Sequence, residues 1–121
     1  MVMSAAFKTT ILDRALRQKR RDNEQKRRET IQHIMRLLPR LANKYGFDRV
    51  FLFGSVAKPG RFHERSDIDI AVFGLTDEKY FSFMGELSAQ VRRDVDVIQM
   101  EKHDLAKRLS RVDRIVWKRT V

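Results

Sequence analysis

The sequence predicts one α/β (α+β) domain in which a small mixed β-sheet is flanked by helices. Apolar residues form a continuous run from Val50 to Phe53 and alternate with aspartates from Ser66 to Phe73, as they do in strands. Helical spacing of apolar residues precedes the first run and follows the second, so helices and strands alternate along the chain. The 121 residues suit one core of ordinary size and exclude two independent cores.

A core-facing helix is predicted ahead of the first strand. Its apolar residues recur three and four positions apart, which places them on one side of a helix: Ile31, Ile34, Leu38 and Leu41. Pro39 falls inside this stripe and is expected to bend or restart the helix, because proline removes a backbone donor. Gly46 is expected to end the helix before Phe47.

Three strands are predicted in the following chain. The first, Val50 to Phe53, is apolar on both faces and stops at Gly54. The second is Ser66 to Phe73 and the third is Asp94 to Met100, with an amphipathic helix from Asp77 to Arg92 between them.

The end of the chain allows two interpretations. Leu105, Leu109 and Val112 have helical spacing, and the apolar group from Ile115 to Trp117 either extends that helix or forms a short strand. A single aromatic residue near a terminus is typical of a packing anchor, and we expect that role for Trp117.

Most of the basic excess lies in the first third of the chain. The protein has 26 Lys and Arg against 16 Asp and Glu, a formal charge of +10, and residues 1–44 hold twelve of those cations against four acids. Gln18 to Thr30 has no apolar residue, which predicts a solvent-exposed helix or a flexible connector, and a small apolar patch lies before it, from Ile11 to Leu16. We expect residues 1–30 to form a basic, helical N-terminal extension and residues 31–121 to form the folded domain.

Composition excludes several classes of protein. The absence of cysteine excludes disulfides, thiolate metal sites and cysteine nucleophiles. The apolar runs are too short to cross a bilayer or to serve as the core of a signal peptide, and acids near the N-terminus argue against a transit peptide. We therefore expect a cytoplasmic protein with no membrane association.

Three aspartates stand where a strand core would disfavour them. On a strand, Asp67 and Asp69 project from one face, roughly 6 to 7 Å apart along the backbone, and Asp96 adds a carboxylate from another strand. Like charges this close repel each other, and a divalent cation relieves the repulsion. Oxygen ligands favour Mg²⁺ or Mn²⁺, and three carboxylates can hold two ions. The Asp-x-Asp pair alone is as consistent with a local backbone cap.

Gly54 and Ser55 directly follow the first predicted strand. A glycine at such a turn lets backbone N–H groups approach a phosphate closely, and the following hydroxyl can donate to it. Gly-Ser alone is a common turn, and its order before the aspartates on these elements makes the combination specific.

The stretch FGSVAKPGRFHERSDIDIAV from Phe53 to Val72, followed by VDVI from Val95 to Ile98, resembles the minimal nucleotidyltransferase (MNT) family of the DNA polymerase beta-type superfamily. Members of that superfamily have a Gly-Ser after a strand, then an Asp-x-Asp and a third Asp on a following strand. The resemblance covers nearly the whole domain. It implies a polymerase beta-type nucleotidyltransferase fold with two metal ions.

The resemblance also implies the roles of individual residues. Nucleotide-binding residues would be Gly54, Ser55 and Ser66, and the catalytic, metal-binding residues would be Asp67, Asp69 and Asp96. Asp96 would bind the second metal and help to activate the attacking hydroxyl. Mg²⁺ is the expected ion, with Mn²⁺ as the alternative, and ATP is the expected donor.

Asp94 competes with Asp96 for this role. We favour Asp96 because it is embedded among apolar residues, whereas Asp94 follows Arg92 and Arg93 and is explained as their ion-pair partner.

The loop between the Gly-Ser pair and the aspartates departs from the family pattern. Lys58-Pro59-Gly60 lengthens it, and Pro59 is expected to shorten the helix that opens after Gly-Ser. Lys58, Arg61 and Arg65 can neutralise a triphosphate, although solvated loop cations explain them nearly as well.

Stand-alone members of the family resemble the antitoxin of HEPN/MNT toxin–antitoxin pairs, which transfers AMP to a tyrosine of the HEPN toxin. The chain is too short to include the acceptor-binding domain of larger members. The resemblance therefore implies Mg²⁺-dependent transfer of AMP from ATP to a hydroxyl on a HEPN-type partner, within a homo- or hetero-oligomer.

Two alternatives stay open: a non-catalytic antitoxin or scaffold that acts by binding, and a basic nucleic-acid-binding module. The second is disfavoured, because the basic segment lacks interleaved aromatic residues for base stacking.

Overall fold

A computed structural model describes residues 5–102, 106–109 and 113–120 of the chain. It begins with one long helix, α1 (Ala5–Tyr45), which leads into strand β1 (Arg49–Phe53). The remaining elements, in chain order, are β2 (Ile68–Phe73), α2 (Asp77–Val91), β3 (Val95–Gln99), α3 (Ala106–Leu109) and β4 (Ile115–Lys118). Among the described helices, none has both the length and the apolar character that spanning a membrane requires.

The four strands form one mixed sheet in the order β3-β2-β1-β4. β1 pairs antiparallel with β2 and with β4, whereas β2 and β3 are parallel. A parallel pair needs a crossover connection, and α2 supplies it. The predicted fold class, a small mixed sheet flanked by helices, is confirmed.

One face of this sheet packs against α1 and α2. The strand side chains that point to it are buried in one cluster with residues of both helices: Val50, Leu52, Ile68, Ile70, Val72, Val95 and Val97. The predicted stripe of α1 contributes Ile34, Leu38 and Leu41, all fully buried. Burial of each such side chain stabilises the fold by roughly 1.5–3 kcal/mol, so this face is the main core.

The opposite face carries a smaller apolar cluster. Ala71, Met100 and Leu109 are its buried members, and Phe51 and Phe73 pack edge to face beside them with ring centroids 5.2 Å apart. Side chains alternate between the two faces of a strand. Asp69 of β2 and Asp96 of β3 therefore lie on this face, away from the main core.

Helix α1 is continuous through Pro39, so the predicted restart of the helix was wrong. Pro39 is exposed on α1 while Leu38 and Leu41 are buried. The proline ring therefore lies on the solvent side, where water can satisfy the carbonyl that loses its hydrogen bond. The packed stripe on the other side holds the helix together across this position.

Helix α1 runs antiparallel to β1 and extends past the C-terminal end of that strand. Near the C-terminus of α1, the Arg119 guanidinium donates to Asn43 Oδ1 (2.5 Å), and the Arg119 N–H donates to the Asp48 carbonyl just before β1. Further back along α1, Arg27 Nη1 donates to the Val56 carbonyl just after β1 (3.0 Å). The residues before Arg27 therefore project beyond the edge of the sheet at which β1 ends, and every residue from Thr9 to Asp22 is exposed.

The end of the chain forms a short strand. Ile115 to Lys118 is β4, paired with β1, so the strand interpretation is confirmed over the helical one. Trp117 is half-buried and packs edge to face against Phe47 at 5.9 Å, which confirms its role as a packing anchor. Leu105 and Val112 of the predicted helix lie outside the described residues.

Candidate active site

Asp69 and Asp96 are lateral neighbours on the two parallel strands. In the register of β2 and β3, Asp69 is paired with Asp96. Adjacent strands lie about 4.8 Å apart and paired residues point to the same face, so the two carboxylates lie side by side. Asp69 is half-buried and Asp96 is exposed, which leaves the pair open to solvent on one side.

Asp69 also lies against the turn that follows β1. Its register partner on that strand is Phe53, and the next residue, Gly54, has a φ of +69°. A Cβ added at Gly54 would overlap Asp69 Oδ2 and lie 3.1 Å from Asp69 Cγ. Glycine is therefore required at this position for two reasons: the backbone has a positive φ, and the Asp69 carboxylate occupies the space of a Cβ.

The environment of Asp69 disfavours its charged form. Burial raises the pKa of the Asp69 carboxyl above its ordinary value, and the negative charges of Asp96 and Asp67 raise it further. The three predicted carboxylates are thus close enough to interact electrostatically. A cation bound among them would remove the repulsion.

Asp67 lies immediately before the strand rather than on it, because β2 begins at Ile68. The Ser66 hydroxyl oxygen accepts the His63 N–H (2.9 Å), and the Ser66 N–H donates to the His63 carbonyl (3.0 Å). These bonds close a turn from His63 to Ser66, so the strand starts two residues later than predicted. Asp67 is exposed, and its contribution to a site depends on how this turn is held.

The carboxylates fit a magnesium site whose remaining ligands would be water or the phosphate oxygens of a substrate. Within the described ranges, no three His, Asp or Glu side chains already form a group that could hold a metal ion. Mg²⁺ commonly binds through one or two carboxylates and takes its other ligands from phosphate oxygens and water. Asp69 and Asp96 would supply the two carboxylates, and the charges of Asp96 and Asp67 add to burial in raising the pKa of Asp69.

A basic cleft opens on the other side of Gly54. Its volume is about 610 Å³, and it is lined by Gly54, Ser55, Lys58, Pro59, Arg61 and Asp113. The residues after β1 form a single 3₁₀ turn, Gly54–Ala57, as short as Pro59 predicts. Lys58 and Arg61 thus lie beside the Gly-Ser turn, where they can neutralise phosphate charge.

Arg65 lies elsewhere. It lines a separate depression of about 730 Å³ with Asp67, Asp94 and residues of α2. The three loop cations that the sequence grouped together therefore face two different depressions.

Arg27 was not singled out from the sequence, yet it connects α1 to the Gly-Ser turn. Its guanidinium donates to both carboxylate oxygens of Glu24 (2.8 and 2.9 Å) and to the Val56 carbonyl, and only 12% of its side chain is exposed. The hydrogen bonds and charge of Glu24 raise the pKa of Arg27. Arg27 stands between Lys26 and Arg28, and one cation among several gives no sequence signal for such a contact.

Arg93 was expected only as an ion-pair partner of Asp94, together with Arg92, and that expectation is wrong. Across the described part of the chain, Asp94 forms no salt bridge with Arg92 or Arg93. Arg93 instead donates to main-chain carbonyls of the turn before Asp67, and burial lowers the pKa of its guanidinium. Asp94 accepts the Ile68 N–H at its carbonyl (2.9 Å).

Several solved structures with a similar fold are toxin–antitoxin proteins. One, a toxin–antitoxin structure with AMP-PNP, has 24% identity and a TM-score of 0.51, and the match covers 60% of this chain and 62% of that chain, less than two thirds of it. A mutant of the toxin–antitoxin MntA-HpeT has 20% identity and a TM-score of 0.57, with 71% and 73% covered. The toxin–antitoxin MntA-HepT has 19% identity and a TM-score of 0.50, with 71% and 70% covered. These similarities show a shared fold.

Sequence comparison gives the family directly. No curated protein matches this chain significantly over its sequence. The family model described as "Polymerase beta, Nucleotidyltransferase" matches residues 29–120, which include the C-terminal part of α1, all four strands and the three aspartates. Since that match takes in most of the chain and the fold agrees with it, the chain belongs to the polymerase beta nucleotidyltransferase family.

Proposed function

We propose that this chain transfers AMP from ATP to a hydroxyl on a partner protein, and that it is the antitoxin of a HEPN/MNT toxin–antitoxin pair in the cytoplasm. The observation that carries the proposal is the lateral pairing of Asp69 with Asp96 beside Gly54, on a nucleotidyltransferase fold. The toxin–antitoxin proteins of similar fold, one of them with AMP-PNP, support the choice of partner and donor.

Asp69 and Asp96 are the residues that would hold Mg²⁺, with Asp67, just before β2, as a further ligand. Bound there, the ion would neutralise charge on the triphosphate and the leaving group. The donors are all carboxylate oxygens, the kind of ligand that Mg²⁺ and Mn²⁺ prefer.

The residues around Gly54 would hold the triphosphate. The glycine lets the backbone approach the phosphates, and the half-buried Ser55 places a hydroxyl next to it. Lys58 and Arg61 line the same cleft and would balance the charge of the β- and γ-phosphates. Ser66 is buried in its turn, so its contribution to nucleotide binding would come through the turn it closes.

The reaction is an in-line displacement at the α-phosphorus. The acceptor hydroxyl oxygen forms a bond to the α-phosphorus while the bond from that phosphorus to the bridging oxygen breaks, and pyrophosphate leaves with the electron pair. Asp96 is exposed beside Asp69 and would accept the hydroxyl proton. No covalent intermediate on the protein is required.

Transfer of label from α-labelled ATP to a co-expressed partner encoded by the neighbouring gene tests this proposal. Wild-type protein should label the partner, whereas Asp96→Asn should reduce the rate by roughly 10³-fold, because the paired carboxylate loses its charge. Asp94→Asn is the matched control two residues away, and it should retain most of the activity. Equal loss in both variants, or full activity of Asp96→Asn, would contradict the assignment.

A second candidate function is neutralisation by binding alone. It is favoured by the projecting half of α1, where Ile11, Leu12 and Leu16 are 47%, 62% and 50% exposed. These exposed apolar side chains lie within two turns of a basic helix, and such a group is suited to contact another chain.

The triple substitution Ile11→Ser, Leu12→Ser, Leu16→Ser separates the two functions. If binding through α1 neutralises the partner, these changes should weaken the complex about tenfold or more in pull-down titration, since apolar contact area is lost, while Asp96→Asn neutralises as well as wild type. If transfer neutralises it, Asp96→Asn should fail to neutralise the partner even when the complex forms normally.

Titration of the same variants with RNA at two salt concentrations tests the nucleic-acid alternative, which requires a steep loss of affinity with salt.

A further inference from the structure

The loop that leads into β2 is contacted by the Arg93 side chain, which lies outside the loop. We call residues 62–67 the aspartate loop, because it ends at Asp67 immediately before β2. Arg93, which lies between α2 and β3, contacts this loop at several points. Its position makes it a link between the two strands that carry Asp69 and Asp96.

The contacts of Arg93 are with the main chain rather than with acids. Its Nη1 lies within hydrogen-bond distance of three carbonyl oxygens, those of His63 (3.0 Å), Glu64 (3.1 Å) and Ser66 (2.9 Å), to which it donates. Three carbonyls that point at one atom define the curvature of the loop. A cation in the centre of that curvature satisfies oxygens that would otherwise face each other.

The flat face of the same guanidinium is also used. The Arg93 Cζ lies 4.3 Å from the centroid of the Phe62 ring, which is 3% exposed, at the start of the loop. A planar guanidinium can stack on a ring and donate from its edge at the same time, whereas a lysine ammonium cannot. The site is therefore suited to arginine in particular.

The link is continued by the backbone on both sides. The Ile68 N–H donates to the Asp94 carbonyl, which is the first rung between the aspartate loop and the segment entering β3. In the register of the two strands, Ile68 is paired with Val95, and the next pair is Asp69 with Asp96. Arg93 thus contacts the aspartate loop, and the next residue, Asp94, bonds to the first residue of β2. The position of the loop and the pairing of β2 with β3 are therefore linked through this segment.

We propose that Arg93 is a positioning residue for the aspartates: it holds the aspartate loop so that Asp67 and Asp69 face Asp96 in the arrangement that binds the divalent cation. This inference rests on the proposed function. Arg93 acts through the loop and contacts no reacting atom. The neighbouring Arg92 makes no contact of this kind within the described residues and is exposed, so it is the matched control.

The test is Mn²⁺ binding to the full-length protein, measured by electron paramagnetic resonance without nucleotide or partner. Arg93→Gln should weaken Mn²⁺ binding by about 10- to 100-fold, the usual effect of losing a residue that orients metal ligands, while Arg92→Gln leaves it unchanged. Arg93→Lys should be intermediate at best, because it keeps the charge and loses the stacked, planar geometry. Hydrogen exchange at the Ser66 and Ile68 amides should quicken in Arg93→Gln and not in Arg92→Gln.

The outcomes separate this inference from the proposed function. In the transfer assay, Arg93→Gln should lower kcat more than it raises the KM for ATP. Wild-type affinity for Mn²⁺ in a folded Arg93→Gln protein would overturn the inference, as would wild-type protein that binds no Mn²⁺. If Arg93→Gln does not fold, Arg93→Lys with wild-type Mn²⁺ affinity overturns it. Normal Mn²⁺ behaviour in all variants with no AMP transfer by wild type would instead refute the proposed function.

Discussion

Replacing Gly54 with alanine is expected to abolish detectable nucleotidyl transfer and to lower the free energy of unfolding by roughly 1–3 kcal/mol. The backbone at Gly54 has a φ of +69°, which costs an L side chain energy on its own. The new Cβ would also occupy the position of Asp69 Oδ2. The carboxylate has to rotate away from the turn, and the pairing with Asp96 is lost with it.

Gly60→Ala is the control for the backbone effect. Gly60 also has a positive φ, of +83°, but an added Cβ there meets nothing within 4 Å. It should therefore lower stability by about 1 kcal/mol in urea unfolding and retain transfer. Equal activity in Gly54→Ala and Gly60→Ala proteins would show that the contact between Gly54 and Asp69 has no part in the reaction.

Asp69→Asn is expected to stabilise the fold at neutral pH while reducing transfer by roughly 10³-fold. Burial, Asp96 and Asp67 raise the pKa of Asp69 in the folded protein above its unfolded value. The folded state therefore binds more protons than the unfolded state between these two values. The contribution to stability is fully present below the unfolded pKa and is lost as pH rises through the folded pKa, so at pH 7 the ionised group costs stability.

Thermal unfolding with and without Mg²⁺ measures both consequences. The asparagine variant should have a higher Tm than wild type at pH 7, and the difference should shrink as the pH falls to the acidic range where Asp69 is protonated. Mg²⁺ should raise the Tm of wild type at pH 7, because it binds only the folded state, and should have little effect on the variant. The exposed Asp48, at the opposite end of β1, provides the Asp48→Asn control, which should show neither change.

A lower Tm of Asp69→Asn at pH 7, or the same response to Mg²⁺ as wild type, would contradict the electrostatic explanation. Such a result would mean that the Asp69 carboxylate is stabilised by contacts other than a cation.

Much of the sheet was predictable because its signals are local. Val50 to Phe53 is apolar without interruption, and this occurs where one face of a strand packs against helices and the other belongs to the second apolar cluster, with Met100 and Leu109. The alternation around Asp69 predicted β2 for the same reason, since each face of a strand has its own environment. The adjacency of Asp69 and Asp96 followed from the resemblance to a family and from the expectation of one sheet.

The contacts that hold the site in place were not predictable, because they join residues distant in sequence through main-chain oxygens. Arg27 and Arg93 each donate to carbonyls about 30 positions away, and carbonyls are present at every residue. Arg92 and Arg93 are identical in type and adjacent, yet one is exposed in a left-handed conformation that ends α2 and the other reaches the aspartate loop. The loop that Arg93 contacts ends at Asp67, immediately before β2.

The most direct test of the central claim compares ATP labelled at the α-phosphate with ATP labelled at the γ-phosphate, using wild-type protein, Mg²⁺ and the partner encoded by the neighbouring gene. In nucleotidyl transfer the acceptor hydroxyl attacks the α-phosphorus, so label on the partner should come from α-labelled ATP alone. The pyrophosphate released should equal the AMP transferred. Mass spectrometry should find AMP on a hydroxyl-bearing side chain of the partner. Label from γ-labelled ATP, or no label from either form while the partner is still neutralised, would contradict the claim.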